Sequence, residues 1–113
     1  MALIFAAIMI EYVKNIKDFH AAIGIILNPK AWVLLQKKDI DYPLNPGQWV
    51  YFGGRVKEGE QPYDALVREV EDEETGIKLE DIVHYTNVSF RDDLPEKKLR
   101  REGTLHFYAA CFD

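Results

Sequence analysis

At Pro62 the apolar pattern of this chain changes period, and that change constrains the fold more than any other feature. Up to Phe52 the apolar residues come in short runs suited to strands. From Pro62, PYDALVREVEDEE places Tyr63, Leu66, Val67 and Val70 on one side at helical spacing. Pro62 is tolerated in a first helical turn and Asp64 is favourable there, while Gly76 marks the C-terminal stop. Gln61 stands where a Ser or Thr cap would otherwise be expected, at a cost of about 1 kcal/mol.

Strand signals flank this helix on both sides. His20–Leu27 is a continuous apolar run, Asn28-Pro29-Lys30 is a turn signal, and Ala31–Lys38 reads as a second strand. The stretch from Asp39 to Gln48 holds two prolines and a glycine and reads as a loop. Trp49–Phe52 is a short β run leading into Gly53-Gly54. Beyond the helix, Asp81–Phe90 and Thr104–Phe112 read as strands joined by a charged loop, Arg91–Gly103. Strands on both sides of a helix predict an α/β layer fold with a mixed sheet. At 113 residues, without repeats or linkers, the chain is expected to be one domain, 1–113, with residues 1–18 an uncertain N-terminal segment. Met9 is an alternative start, which would make residues 1–8 an upstream extension.

The helix ends in a concentration of charge. REVEDEETGI, Arg68 to Ile77, holds five carboxylates between Glu69 and Glu74. Carboxylates in a last turn oppose the macrodipole at roughly 0.3–1 kcal/mol each. Two of them ~6 Å apart at an effective dielectric of ~20 repel by roughly 3 kcal/mol. A bound cation would offset both terms. At 100° per residue, Glu69, Asp72 and Glu73 share one stripe, which Pro62 and Ala65 continue with small side chains. Oxygen donors alone select Mg²⁺ or Mn²⁺ over Ca²⁺, since no loop of alternating oxygen donors is present. The bland alternative is a solvated acidic face.

Upstream residues sharpen the reading. Gly53 to Ile77, GGRVKEGEQPYDALVREVEDEETGI, resembles the Nudix box of the Nudix hydrolase family: Gly54, five residues, Glu60, seven residues, then Arg68-Glu69-Val70. The aromatic strand WVYF before it is similar to the family's entry strand. The resemblance implies an α/β/α sandwich around a mixed sheet. It also implies Mg²⁺-dependent hydrolysis of a pyrophosphate bond in a nucleoside diphosphate linked to another group. Gly53 would turn its carbonyl to the metal and Gly54 would permit a tight loop. Glu60 would pair with Arg68 and so orient Glu69, which would bind metal and act as general base. The metal set expected is Gly53, Glu69, Asp72, Glu73 and Glu74, with Arg55 and Arg91 meeting substrate phosphates.

The box departs from the family pattern by one extra residue after Val70. In one reading the helix stays regular, Asp72 and Glu73 are the acidic pair, and Glu74 falls about 140° from Glu69, among apolar side chains. In the other, a π-bulge near Glu71-Asp72 absorbs the insertion and Glu73 and Glu74 are the pair. The regular helix is the one preferred here, because Glu69, Asp72 and Glu73 then need no distortion. The family's usual C-terminal helix is absent after Phe112. Either the domain is truncated, or a partner subunit, a homodimer being one option, covers the sheet. A Nudix-like binding or regulatory module without turnover is the alternative function.

Other features set limits. The net charge of −5 argues against broad nucleic-acid binding. The apolar start, MALIFAAIMI, is too short to span a bilayer. The single cysteine, Cys111, suits a reducing cytoplasm and is expected in the core, as are Trp32 and Trp49. His20, His84 and His106 lie in predicted strands without metal-ligand spacing and are expected to be structural. Tyr42 and Tyr51 are the candidates for stacking on a base.

Overall fold

The computed structural model describes residues 14–42 and 46–113, so the expectation for residues 1–8 lies outside the described residues. Strand β1 (Lys14–Leu27) runs through the middle of the sheet. The Asn28 side chain builds the turn that follows, its Oδ1 accepting from the amides of Lys30 and Trp32 at 3.0 and 2.9 Å. The returning segment makes only an isolated bridge, Val33 to Leu27. The expected strand Ala31–Lys38 therefore shrinks to β2 (Gln36–Lys37), paired with β3 (Trp49–Val50) in a separate two-stranded ribbon.

Strand β4 (Phe52–Arg55) carries the glycine pair, and α1 (Pro62–Val67) follows it. Strand β5 (Glu80–Leu94) and strand β6 (Leu99–Cys111) complete a four-stranded sheet of order β4-β1-β6-β5. Pairing is parallel between β1 and β6 and antiparallel elsewhere, which makes the sheet mixed. The expected loop Arg91–Gly103 is instead the end of one long hairpin. The strands continue through Leu94 and from Leu99, and only Pro95–Lys97 turns, as a short 3₁₀ segment with Lys98 left-handed. Alternating charges ladder across it, Asp92 opposite Arg101 and Asp93 opposite Arg100. Opposite charges facing across an antiparallel pair stabilise strands that composition alone marks as loop.

The core lies between α1 and the even-numbered face of β1 and β6. Ile26, Leu66 and Val70 are fully enclosed, with Ala22, Ala65, Tyr108 and Ala110 around them. Ala65 belongs to this core and not to a cleared acidic flank. Three other expectations are corrected. Trp32 and Trp49 are 69% and 65% exposed, each beside a lysine ammonium, Lys30 and Lys37 respectively. Cys111 is exposed, as it lies on the odd-numbered face of β6, away from the helix. Among the described residues one helical layer covers the mixed sheet. None of their helices is long and apolar enough to cross a membrane.

The helix itself changes winding after Val67. Residues Arg68–Glu74 form a π-helical segment. It closes where Thr75 donates to the Val70 carbonyl, five residues back, through its amide at 3.0 Å and its hydroxyl at 2.7 Å. The regular helix is thus overturned in favour of the wide turn. The physical reason is visible at both ends: Leu66 and Val70 stay in the core, and the extra residue is taken up before Thr75. A regular winding would have driven Glu74 into that core.

Candidate active site

Glu60 and Arg68 form the base of the site. Arg68 donates through Nε to Glu60 Oε2 and through Nη2 to Glu60 Oε1, both at 2.9 Å, a bidentate pair. Those bonds hold the Glu60 carboxyl down to about 2, helped by the Lys57 amide, which donates to it as well. Nη2 also donates to the Arg55 carbonyl at 3.0 Å, so one guanidinium ties the loop after β4 to the helix. Its Nη1 reaches forward to Glu69 Oε1 and Glu73 Oε2, each at 2.9 Å.

Glu69 is thereby aimed at the glycine pair. A Cβ on Gly54 would stand 2.3 Å from the Glu69 carboxyl carbon, so the carboxylate fills the space that any side chain there would take. Gly53 has φ +150°, and a Cβ on it would lie 2.1 Å from the Ala22 carbonyl oxygen. Only glycine serves at that point, where β4 is drawn against β1.

The π winding brings Glu74 to the same place. Residues five apart sit about one turn apart along a π-helix, so Glu74 follows Glu69 on one face. Glu74 Oε2 accepts from Gln36 Nε2 at 3.0 Å, whereas its Oε1 is buried without a hydrogen-bond partner. Burial, and then the Glu69 charge, push the Glu74 carboxyl up from 4.5 to about 7, although Gln36 and the Gly53 amide pull the other way. Two crowded carboxylates with an orphaned oxygen suit a cation. The donor chemistry fits Mg²⁺, a hard ion that prefers oxygen and keeps several waters of its own.

The five-member metal set is only partly assembled. Glu69 and Glu74 converge at Gly53-Gly54. Glu73 is half exposed and held by Arg68, and Asp72 is exposed on the solvent side of the wide turn. Gly53 acts on Glu74 through its amide, which favours the charged carboxylate. Among the described residues no group of three or more His, Cys, Asp or Glu is arranged to hold a metal.

An open cleft of about 710 Å³ extends from these carboxylates. Tyr42 and Tyr51 line it, as does Arg55, whose guanidinium lies 5.0 Å from the Phe19 ring centre. Arg91 does not reach the cleft; it is 54% exposed, 3.6 Å from Asp93. Arg101, Asp92 and Gln36 line it instead; of these, sequence reasoning reached Arg101 only as one of several basic residues of a loop that could meet substrate phosphates, and missed Asp92 and Gln36. Arg101 packs 4.9 Å from the Phe19 centroid. The signal for it was the charge alternation across Asp92 and Arg101, which is legible only once the hairpin is recognised.

Comparison with known proteins identifies the family. The family model described as NUDIX domain matches residues 18–113. Nucleoside triphosphatase NudI of Klebsiella pneumoniae (strain 342) is 39% identical over 82 residues, covering 71% of this chain and 57% of the relative. NudI of Enterobacter sp. (strain 638) is 42% identical over 84 residues, 74% and 57% of the two chains. The chain thus spans a little over half the length of these relatives. Among solved structures, a MutT from work on Aliivibrio salmonicida and Vibrio cholerae superposes with a TM-score of 0.59. It is 25% identical, with 84% of this chain and 65% of that one covered. MutT of Methanosarcina mazei Go1 gives 0.58 at 21% identity, with 89% and 66% covered, a likeness of fold. By its family match, its relatives and its mixed sheet with the glycine pair and Arg-Glu helix, the chain belongs to the Nudix family.

Proposed function

We propose that this domain hydrolyses a pyrophosphate bond in a nucleoside diphosphate linked to another group, with Mg²⁺ held by Glu69 and Glu74. A nucleoside triphosphate, in which the other group is phosphate, is the simplest such substrate, and the NudI relatives are named as nucleoside triphosphatases. The observation that carries the reading is the Glu69–Glu74 pair at Gly53-Gly54, with one buried carboxylate oxygen lacking a partner. When bound, the metal supplies charge neutralisation at the phosphate oxygens and a more acidic water.

The remaining work falls to the chain. Arg68, anchored by Glu60, fixes one oxygen of Glu69 and leaves the other facing the cleft, where it accepts a proton from the attacking water. Arg55 lies at the cleft wall with its guanidinium available to phosphate oxygens. Tyr42 and Tyr51 offer aromatic surface to a base.

A binding module without turnover is the second reading, favoured by the two-carboxylate donor set among the described residues. The two are separated by incubating the protein with a panel of nucleoside triphosphates and diphosphate derivatives, with Mg²⁺ or with EDTA. Metal-dependent product that Glu69→Gln reduces by about 10²-fold or more supports the enzyme. Metal-dependent binding without product across the panel supports the module.

A further inference from the structure

Behind the cleft, on the helix side of the sheet, the structure joins two histidines 86 residues apart. His20 Nδ1 and His106 Nε2 are 2.8 Å apart, and His20 Nε2 is 2.8 Å from Asp18 Oδ1. The ring planes differ by 28° with centroids 5.1 Å apart. Nitrogens that much closer than the centroids mean rings meeting edge to edge, not stacked. Their lone pairs then face along one line, which holds a proton and not a metal ion. The tautomers follow. A carboxylate only accepts, so His20 carries hydrogen on Nε2; neutral His20 accepts at Nδ1, and His106 donates from Nε2. The basic atom left is His106 Nδ1.

This chain of bonds sits at a break in the sheet. The β1–β6 ladder is interrupted between Ile16 and Phe19, and Asp18 occupies the left-handed region at φ 57°. A non-glycine residue held there is kept by its surroundings, and the bond to His20 is one of them. Side chains alternate along a strand. Asp18 and His20 therefore lie on the helix side, beside a pocket of about 450 Å³, while Phe19 between them lies on the cleft side. The Phe19 ring is buried, with the Arg55 and Arg101 guanidinium groups 5.0 and 4.9 Å from its centre. Gly103 on β6 lies so close to Phe19 that a Cβ would stand 1.7 Å from its carbonyl oxygen, so a shift of this segment is felt by β6 as well.

We propose that Asp18, His20 and His106 form a proton-held clasp that positions Phe19, and through it Arg55 and Arg101, in the cleft on the opposite face. Acid opens the clasp at the second proton: the first goes to His106 Nδ1 and leaves its Nε2–H bond to His20 in place, while the second goes to His20 Nδ1 and sets two N–H groups against each other in a doubly charged pair. Burial, His20 and His84 of β5 all hold the His106 imidazole below its ordinary range. Lys57 of the loop after β4 adds positive charge at the pocket, while the Arg55 guanidinium lies on the cleft side against Phe19. Glu58 and Asp18 oppose them, and Glu60 is occupied by Arg68. From α1, Asp64 faces Tyr108 beside His84. The clasp is therefore closed at neutral pH and opens only once both rings are charged, below the ordinary imidazole range.

The proposal rests on the nucleotide reading of the cleft only for its binding readout, and two variants test it. His106→Gln keeps an N–H for His20 but cannot titrate; His106→Ala removes the bond. In wild type, histidine NMR should find hydrogen on Nε2 of both rings at neutral pH, and the Phe19 ring signals should move when the second of the two rings takes its proton. In His106→Gln those Phe19 signals should stay still. Affinity for a non-hydrolysable nucleoside triphosphate with Mg²⁺ should fall about tenfold further in wild type than in His106→Gln as pH drops from 7.5 to 5, and should be about tenfold weaker at pH 7.5 in His106→Ala. A wild-type-like acid limb in His106→Gln, full affinity of His106→Ala at pH 7.5, or hydrogen on His106 Nδ1 at neutral pH would each overturn the clasp. If wild type binds no nucleotide at all, the functional reading fails, and the Phe19 signals alone decide the clasp.

Discussion

Replacing Glu74 by glutamine should stabilise the metal-free protein. The Glu74 carboxyl is pushed from 4.5 to about 7, first by burial and next by the Glu69 charge. In the unfolded chain it ionises from its ordinary value upward, while in the folded protein it keeps its proton until about 7. Folding stability therefore falls as pH rises across that window, and the loss is complete above it. At 1.36 kcal/mol per unit the full cost is on the order of 3 kcal/mol, and allowing for partial exposure to water about 2 kcal/mol is the working figure. Glutamine keeps an oxygen for Gln36 Nε2 and presents an amide to Glu69, as the protonated acid would. In a domain of this size about 2 kcal/mol corresponds to a rise in Tm of roughly 8 °C. The assay is thermal melting of both proteins at pH 8 in EDTA, repeated with Mg²⁺. Magnesium should raise the wild type and leave the variant nearly unmoved, narrowing or reversing the gap. A variant that melts at or below wild type in EDTA at pH 8 would refute the account of Glu69–Glu74 crowding.

Gly54→Ala should fold but lose the site, since the added methyl meets the movable end of Glu69; melting should shift little while hydrolysis drops about 10²-fold. Gly53→Ala, by contrast, drives a methyl into the Ala22 backbone and should fail to give soluble, cooperatively melting protein. Arg68→Lys removes the planar fork that serves Glu60, Arg55, Glu69 and Glu73 together. It should lower stability by about 2 kcal/mol in a melt and abolish most turnover. Glu73→Gln loses one exposed bond to Arg68 and should keep hydrolysis within about threefold of wild type, whereas a much larger loss would return Glu73 to the metal set.

Local spacing made much of the site legible. Gly54, Glu60, Arg68 and Glu69 are placed by one loop and the first turns of one helix, so their relations survive any uncertainty in the rest of the fold. The turn at Asn28 and the mixed sheet were legible for the same reason. What sequence could not decide was the winding after Val67. The two windings differ only in where Glu74 ends up, and that is settled by the core around Leu66 and Val70. Arg91–Gly103 reads as a loop because its stabilising pairs, Asp92 with Arg101 and Asp93 with Arg100, lie across strands and not along them. The histidine bond depends on the register of two parallel strands, a relation with no local trace. Trp32 and Trp49 mislead because a large aromatic is equally at home against a lysine on an outer ribbon.

The wide turn at Arg68–Glu74 confines the extra residue to a single loop of backbone, so the chain before it and after it keeps its phase. Leu66 does not rotate, and Gly76 still ends the helix in a left-handed conformation. Deleting Asp72 should therefore return this stretch to ordinary α winding with the same final carboxylate against the glycine pair. Which position along the chain supplies that carboxylate is then a matter of helical pitch. Two close relatives can use differently numbered residues for one and the same oxygen.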